Sequence, residues 1–243
     1  MSYETHIRSC SVHRLGDDMG ITIRLLAHAS FQIKTGDQNI YIDPSTNNTG
    51  LKKDDFEPAD LILVTHGHSD HFDNKLLEKI RKFGSPVIAP PNLKKEVKGG
   101  IVWDLSPGQF MKMVTSEGTI WATEAYNVKR FLPNGEPFHP KGFGVGFLVK
   151  FGEKRIYHAG DTDLIPEMER LEEVEVDVAL LPSGDTYTMD VNEAAEAALI
   201  IKPKIAIPMH LKGADPVIFK EKVESQSDTK VVILGEGEEY TLE

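Results

Sequence analysis

The pattern of apolar and polar residues predicts an α/β protein built from two β-sheets with helices on their outer faces. Strand patterns dominate the first half of the chain, whereas strands and helices alternate in the last third. A sheet buries its apolar face only when another element covers it, so two facing sheets with outer helices suit this order. The 243 residues suffice for a substantial buried core.

Short apolar or alternating segments predict the strands of the first two thirds of the chain. They lie, in chain order, at 21–25, 31–35, 39–42, 60–64, 86–89, 109–115, 119–125, 143–149 and 155–158. Gly36 and Asp37 separate the second and third segments, and this turn chemistry is typical of a β-hairpin. Apolar residues at helical spacing predict a helix over 74–83.

The last third of the chain has clearer helix boundaries. Asp190 stands three residues before Glu193, a capping-box arrangement that opens a helix over 191–201, and Pro203 closes it. A second helix is predicted near 216–224. Strands are predicted at 176–181, 204–207 and 231–234.

Composition restricts the class of protein. The formal net charge is −11 at pH 7 and no basic stripe offsets it, which argues against nucleic acid as a partner. Cys10 is the only cysteine, so an internal disulfide and a thiolate metal site are both excluded. Because the sequence shows no membrane-spanning stretch and no signal-peptide core, we expect a cytoplasmic protein without a membrane partner. The oligomeric state stays open, and a homo-oligomer is compatible with the sequence.

The chain divides into a short arm and one domain. Residues 1–18 are polar and aperiodic, and regular patterning begins at Met19. We therefore expect 1–18 to be a peripheral N-terminal arm or tail, with Met19 as an alternative start, and 19–243 to form a single domain.

The segment from Thr65 to His71 is the densest group of candidate ligands. It places three imidazoles and a carboxylate within six residues, directly after a predicted strand. His66 and His68 can hold one cation from the same side, while Asp70 and His71 can hold a second. Imidazole and carboxylate ligands suit zinc, and also manganese or iron. The alternative is a solvated polar loop that is rich in histidine.

Three further candidate residues follow predicted strands. Asp43, Asp161 and His210 each come directly or closely after an apolar segment. Taken singly, they have structural interpretations: a turn, a helix cap and a histidine at a strand edge. Their shared position at strand ends, together with the histidine cluster, favours one metal centre.

On these landmarks the chain resembles the metallo-β-lactamase superfamily across residues 19–243. Asp43, the His-x-His-x-Asp-His cluster, Gly160-Asp161 and His210 occur in the superfamily's order. Motifs that resemble its ascorbate-6-phosphate lactonase-like branch of metal-dependent hydrolases lie at 28–31, 42–44, 157–162, 187–189 and 207–210. The resemblance implies an α/β fold of the four-layer αββα sandwich type, with metals at one edge.

The resemblance also implies two divalent metal ions. Zinc is the leading candidate, and manganese or iron are the alternatives. The implied ligands are His66 and His68 for the first metal, Asp70, His71 and His210 for the second, and Asp161 as the bridge. Asp43 would orient a ligand imidazole through its other nitrogen. A metal-bound hydroxide would attack the substrate, and Asp70 would act as the catalytic residue that orients it.

One implied ligand is displaced in this chain. The superfamily commonly supplies a third histidine to the first metal, where this chain has Asn127. His139 is the only histidine between residues 72 and 157, so we hypothesise that the 127–142 loop folds back and His139 completes the site. The alternative is that His139 is a loop or substrate contact, and that the first metal is weak or absent.

The same loop is the candidate for substrate recognition. Its cations Lys129, Arg130 and Lys141 can bind a phosphate or carboxylate, although a solvated charged loop is the alternative. We expect Lys141, Asn127 and, by resemblance, His28 at the substrate. His28 can equally lie behind the ligands or in the core.

Together these features predict a hydrolase that uses a metal-bound hydroxide to cleave a small, anionic ester, lactone or phosphodiester. One alternative is a nuclease acting on RNA or DNA, against which the net charge counts. The other is a metal-bearing binding or sensor protein without turnover.

Overall fold

The computed structural model describes residues 20–113 and 118–242 of the chain. The predicted arm at 1–18 lies outside these residues. The described strands are, in chain order, β1 (Ile21–Ala27), β2 (Ser30–Thr35), β3 (Gln38–Ile42), β4 (Leu61–Leu63), β5 (Val87–Ala89), β6 (Val102–Asp104), β7 (Phe110–Lys112), β8 (Thr119–Ala125), β9 (Gly144–Phe151), β10 (Lys154–His158), β11 (Val178–Pro182), β12 (Ile205–Met209), β13 (Lys230–Val231) and β14 (Glu239–Leu242).

These strands form two mixed sheets. The first has the order β14-β1-β2-β3-β4-β5-β6, and the second has the order β13-β12-β11-β10-β9-β8-β7. In the first sheet, β3 to β6 run parallel; in the second, β10 to β13 run parallel. The carboxyl ends of neighbouring parallel strands meet at one edge of a sheet, and this edge carries the chemistry described below.

Helices cover the outer faces of both sheets. The α-helices are α1 (Asn74–Ile80), α2 (Val191–Ile201) and α3 (Pro216–Glu224), and 3-10 helices lie at Lys53–Asp55, Pro91–Leu93 and Pro166–Val174. Apolar residues of α1 pack on the outer face of the first sheet, and those of α2, α3 and the last 3-10 helix pack on the second. Within the described residues, no helix has the length and apolar character needed to cross a membrane.

The main core fills the space between the sheets. Ile33 and Ile40 of the first sheet and Phe147 and Ile156 of the second are fully buried in one cluster. Burying such side chains stabilises the fold by roughly 1.5–3 kcal/mol each. The predicted αββα sandwich is therefore confirmed: two facing sheets enclose the core and helices lie outside them.

Most predicted elements appear, with some differences in length. Helices α2 and α3 have the predicted bounds, and the carboxylate of Asp190 accepts hydrogen bonds from the backbone N–H groups of Asn192 and Glu193. Helix α1 ends at Ile80 because Arg81 is already extended. The predicted strand at 231–234 is only Lys230–Val231, and residues 114 and 115 of the predicted 109–115 strand lie outside the described residues.

Two strands and the three 3-10 helices were not predicted. Strand β14 pairs antiparallel with β1 and extends the first sheet, and β6 forms its other edge. Both strands are short and only partly buried, so they lack the apolar run or regular alternation that identifies a strand in sequence. Pro166–Val174 is mainly charged and polar, which hid its packing on the second sheet.

Candidate metal centre

The candidate site lies at the edge where strands of both sheets end. Asp43 follows β3, His66 follows β4 by three residues, Asp161 follows β10 by three residues, and His210 directly follows β12. The backbone N–H of Val145 donates to the carbonyl of Thr65 (2.9 Å), which joins the two sheets beside the site. Close packing there requires Gly144, because an added Cβ would lie 3.0 Å from Cβ of His66.

Three imidazole nitrogens converge in the first group of candidate ligands. Nε2 of His66 and Nε2 of His139 each lie 3.1 Å from Nδ1 of His68. Ligand nitrogens around a tetrahedral zinc ion, with bonds of about 2.0–2.1 Å, are separated by about 3.3 Å. The spacing of the three rings therefore fits a single divalent cation.

The ring of His139 is held in one tautomer by Asn127. Oδ1 of Asn127 lies 2.8 Å from Nδ1 of His139 and accepts a second hydrogen bond, also 2.8 Å, from its backbone N–H. An amide oxygen only accepts, so Nδ1 carries the proton and Nε2 keeps its lone pair. That lone pair is directed to His68 and Asp161, as metal binding requires.

Asp43 fixes two further histidines in the same way. Its Oδ2 lies 2.7 Å from Nδ1 of His71 and 2.5 Å from the hydroxyl of Thr65, which lies 2.9 Å from Nδ1 of His66. Because the Thr65 hydroxyl donates to the carboxylate, its oxygen accepts from Nδ1 of His66. Asp43 therefore holds both rings with Nε2 towards Asp161, directly for His71 and through Thr65 for His66.

A second group of candidate ligands lies beside the first. Its members offer one ligand atom each within 4.8 Å of one another: His28, Asp70, His71 and His210. Nε2 of His28 is 3.2 Å from Oδ2 of Asp70, and the rings of His28 and His210 have centroids 3.7 Å apart. His28 therefore contacts the candidate ligands directly, whereas a residue that only binds substrate would not need to do so.

Asp161 lies between the two groups. Its Oδ2 is 3.1 Å from Nε2 of His210, 3.5 Å from that of His139, 3.6 Å from that of His71 and 3.9 Å from that of His66. Its Oδ1, like Nε2 of His71, is buried without a hydrogen-bond partner. Buried polar atoms normally have partners, and a cation bound between the two groups would satisfy both of these atoms.

Protonation states favour cation binding in the first group. Burial lowers the pKa of His139 to about 4 and that of His66 well below its ordinary value, so both rings are neutral ligands at neutral pH. At His71, burial acts to lower the pKa, but the carboxylates of Asp161 and Asp43 outweigh it and raise the pKa to about 9. A metal bound by His71 would displace that proton.

Burial also acts to raise the pKa of the two candidate carboxylate ligands, Asp161 and Asp70, yet both are ionised. The histidines His210 and His71 hold the pKa of Asp161 well below its ordinary value despite the burial of that carboxylate. The contact with His28 likewise keeps the pKa of Asp70 low. The site therefore holds two ionised carboxylates next to several imidazoles, a donor set that suits zinc, manganese or iron.

The backbone holds these side chains in uncommon conformations. His28, Asp43 and His210 have left-handed φ angles of 55°, 50° and 53°. The N–H of His210 donates to the carbonyl of His28 (2.9 Å), which joins the two turns. Left-handed backbone is costly for residues with a Cβ and is typical of functional sites.

Two residues expected at the substrate have other partners. The carboxamide of Asn127 is buried, and both its ends have partners: its oxygen serves His139 and its nitrogen donates to the carbonyl of Tyr187 (2.9 Å). Lys141 lies 2.8 Å from Glu167, beside a groove of about 840 Å³ on the outer face of the second sheet. The sequence showed the types of these side chains, but their partners are distant in sequence and only folding brings them together.

Two facing sheets, outer helices and a histidine–aspartate cluster at one edge define the class of αββα metal-binding proteins. A family model described as Beta-lactamase superfamily domain matches residues 22–210. A UPF0173 metal-dependent hydrolase of Methanopyrus kandleri is 36% identical over 90% of this chain and 98% of its own length. One from Symbiobacterium thermophilum is 37% identical over 90% and 99%, respectively.

A solved structure shows the same relationship. The metallo hydrolase Igni18 of the archaeon Ignicoccus hospitalis is 28% identical, covering 92% of this chain and 99% of that one, with a TM-score of 0.79. The chain therefore belongs to the metallo-β-lactamase superfamily and is a metal-dependent hydrolase.

Proposed function

We propose that the protein binds two divalent cations, with zinc as the preferred metal, and hydrolyses a small anionic ester, lactone or phosphodiester. The observation that carries this proposal is the convergence of imidazole nitrogens on Oδ2 of Asp161 from both groups of ligands. Two cations in such a site lower the pKa of a coordinated water towards neutrality and stabilise negative charge on a substrate oxygen.

The proposed ligands divide between the two groups. His66, His68 and His139 would hold the first cation, and Asp70, His71 and His210 would hold the second, with Asp161 shared. Asn127 and Asp43 would keep the ligand rings in the correct tautomers. Such partners behind the ligands commonly change metal affinity or activity about 10–100-fold.

Asp70 is suited to a second task. Its side chain is partly exposed, unlike the buried Asp161, so it can face both a cation and incoming water. Hydrolysis joins the oxygen of water to the acyl or phosphoryl centre, breaks the bond to the leaving oxygen and passes a proton to that oxygen. We propose that Asp70 orients the attacking water, while His28 holds the carboxylate.

The proposal is tested with protein loaded with zinc and offered three substrates: a p-nitrophenyl ester, a γ-lactone and bis(p-nitrophenyl) phosphate. We expect turnover of at least one substrate, and loss of both bound metal and turnover in Asp161→Asn. Asp54→Asn, an exposed aspartate on the 3-10 helix Lys53–Asp55, is the matched control. Metal-loaded wild-type protein that hydrolyses none of the three would contradict the proposed substrate classes.

A further inference from the structure

We propose that Lys212 binds the negatively charged group of the substrate, and that an apolar part of the substrate packs beside it on Tyr187. The inference deepens the proposed function, on which it rests, by naming the residue that selects an anion and the chemical class that it selects. This class is a carboxylate- or phosphate-bearing molecule with an aryl or alkyl portion.

The cations of the 127–142 loop have carboxylate partners. Nζ of Lys129 lies 2.6 Å from Glu193, and the guanidinium of Arg130 contacts Asp163, Asp185 and Glu193 at 2.6–3.0 Å. Lys141, as described above, pairs with Glu167. A cation that already makes such short contacts with one or more carboxylates is a poor receptor for another anion, because the substrate would have to replace them.

Lys212 lies much closer to the candidate metal centre. It stands two residues after His210, and its Nζ is 4.0 Å from Oδ2 of Asp70. Its side chain remains 39% exposed, and a contact of 4.0 Å is too long for a direct hydrogen bond. The ammonium group therefore lies beside the proposed reaction centre and is partly exposed to solvent.

An apolar surface adjoins this lysine. Nζ of Lys212 lies 5.7 Å from the ring centroid of Tyr187, which is 37% exposed and packs edge-on against Phe138 at 4.8 Å. The loop that carries Phe138 exposes further large apolar side chains, namely Val128, Phe131 and Leu132. Exposed aromatic and aliphatic side chains around a polar centre are typical of a small-molecule site.

The charge of the chain makes a local cation important. With a net charge of −11, the protein as a whole repels anions, so an anionic substrate needs a nearby positive group. A lysine acts as a point charge and accepts a carboxylate or a phosphate equally, so the test below uses a carboxylate. The ring of Tyr187 adds selectivity for an apolar portion.

Binding is measured by calorimetry on zinc-loaded protein with 4-phenylbutyrate and with its uncharged analogue 4-phenylbutanamide. The two ligands have nearly the same shape, so comparing them in each variant isolates the charge. In Lys212→Gln we expect Kd for the carboxylate to rise about tenfold more than Kd for the amide. Lys212→Arg should retain part of the preference, and Tyr187→Ala should weaken both ligands.

Lys34→Gln is the matched control, since Lys34 is similarly exposed and pairs with Glu57. An unchanged ratio of the two Kd values in Lys212→Gln would overturn the inference, as would wild-type protein that binds neither ligand. Because this readout is binding, it is independent of turnover. If Lys212→Gln leaves the ratio of the two Kd values unchanged while the wild-type protein hydrolyses the substrate panel, only the inference is overturned. If the wild-type protein binds the carboxylate through Lys212 but hydrolyses none of the substrates, only the proposed function is overturned.

Discussion

Nε2 of His139 and Nδ1 of His68 lie 3.1 Å apart, although 71 positions separate the two residues in the chain. The superfamily commonly supplies a histidine where this chain has Asn127. Here the 127–142 loop folds back over the strand ends and brings the imidazole of His139 to the site instead. The asparagine has become the partner of the histidine, because its Oδ1 lies 2.8 Å from Nδ1 of His139.

Replacing His139 with alanine should remove one ligand of the first cation. We expect the bound metal of the variant, after dialysis against buffer without metal, to fall by about one equivalent per chain. Phe131→Ala, an exposed residue of the same loop, is the control and should retain the wild-type content. Equal metal content in the two variants would exclude His139 as a ligand.

Asn127 allows a sharper test, because its acceptor and its branched shape can be separated. Asn127→Leu keeps the branched shape but leaves Nδ1 of His139 without an acceptor, and should weaken binding of one cation about 10–100-fold. Asn127→Asp keeps an acceptor and should weaken it less. Competition with a chromophoric chelator measures both affinities, and equal losses in the two variants would point to packing alone.

Asp43 should affect both groups of ligands, and Thr65 only one. In Asp43→Asn the amide can place a donor against Nδ1 of His71, so we expect weaker binding of both cations. Thr65→Val breaks only the connection to His66 and should weaken one cation. The same competition assay measures the affinity for each of the two cations. Weaker binding of both cations in Thr65→Val would contradict a contact that acts on His66 alone.

Gly184 should tolerate no side chain, since an added Cβ would collide with the carbonyl of His210. We expect Gly184→Ala to reduce the free energy of unfolding by about 1–3 kcal/mol and to displace His210 from the site. Thermal unfolding with and without zinc measures both effects. Gly20→Ala, where the nearest contact is 4.0 Å away, is the control; equal behaviour of the two variants would show that the turn accommodates the methyl group.

The ion pairs that hold the 127–142 loop should make stability depend on pH in the acid range. Burial acts to raise the pKa of Glu193, but Lys129 and Arg130 outweigh it, and the net pKa lies below the ordinary value of 4.5. A lowered pKa in the folded state stabilises the protein above pH 4.5, and this stabilisation is lost as the pH falls through the folded value.

In Glu193→Gln, urea unfolding should therefore show a lower stability than wild type at neutral pH, with a difference that shrinks on acidification. Glu196→Gln, an exposed glutamate of the same helix, is the control. A difference that stays constant as the pH falls below 4.5 would contradict the role of the Glu193 carboxylate.

The sequence was enough to predict the grouping of His66, His68, Asp70 and His71, because four ligand-type residues in one short segment after a strand cannot lie far apart. It also predicted that Asp161 and His210 join them, since parallel strands end at one edge. The ligand roles themselves stay predictions.

The partners of Lys141 and Asn127 could not be predicted from the sequence. They depend on how an irregular loop packs, and Glu167 and Tyr187 lie 26 and 60 positions away from the residues that they contact. No periodic pattern records such contacts. The place of His28 against His210 depends likewise on two left-handed turns, which residue types alone do not specify.

The central claim is that this edge of the sandwich holds two cations, and the metal content of the protein as purified tests it most directly. Elemental mass spectrometry on protein prepared without added metal should give about two equivalents of zinc, manganese or iron per chain. Asp161→Asn should lower that number. Wild-type protein that contains no such metal, and that recovers none when metal is added back, would contradict the account.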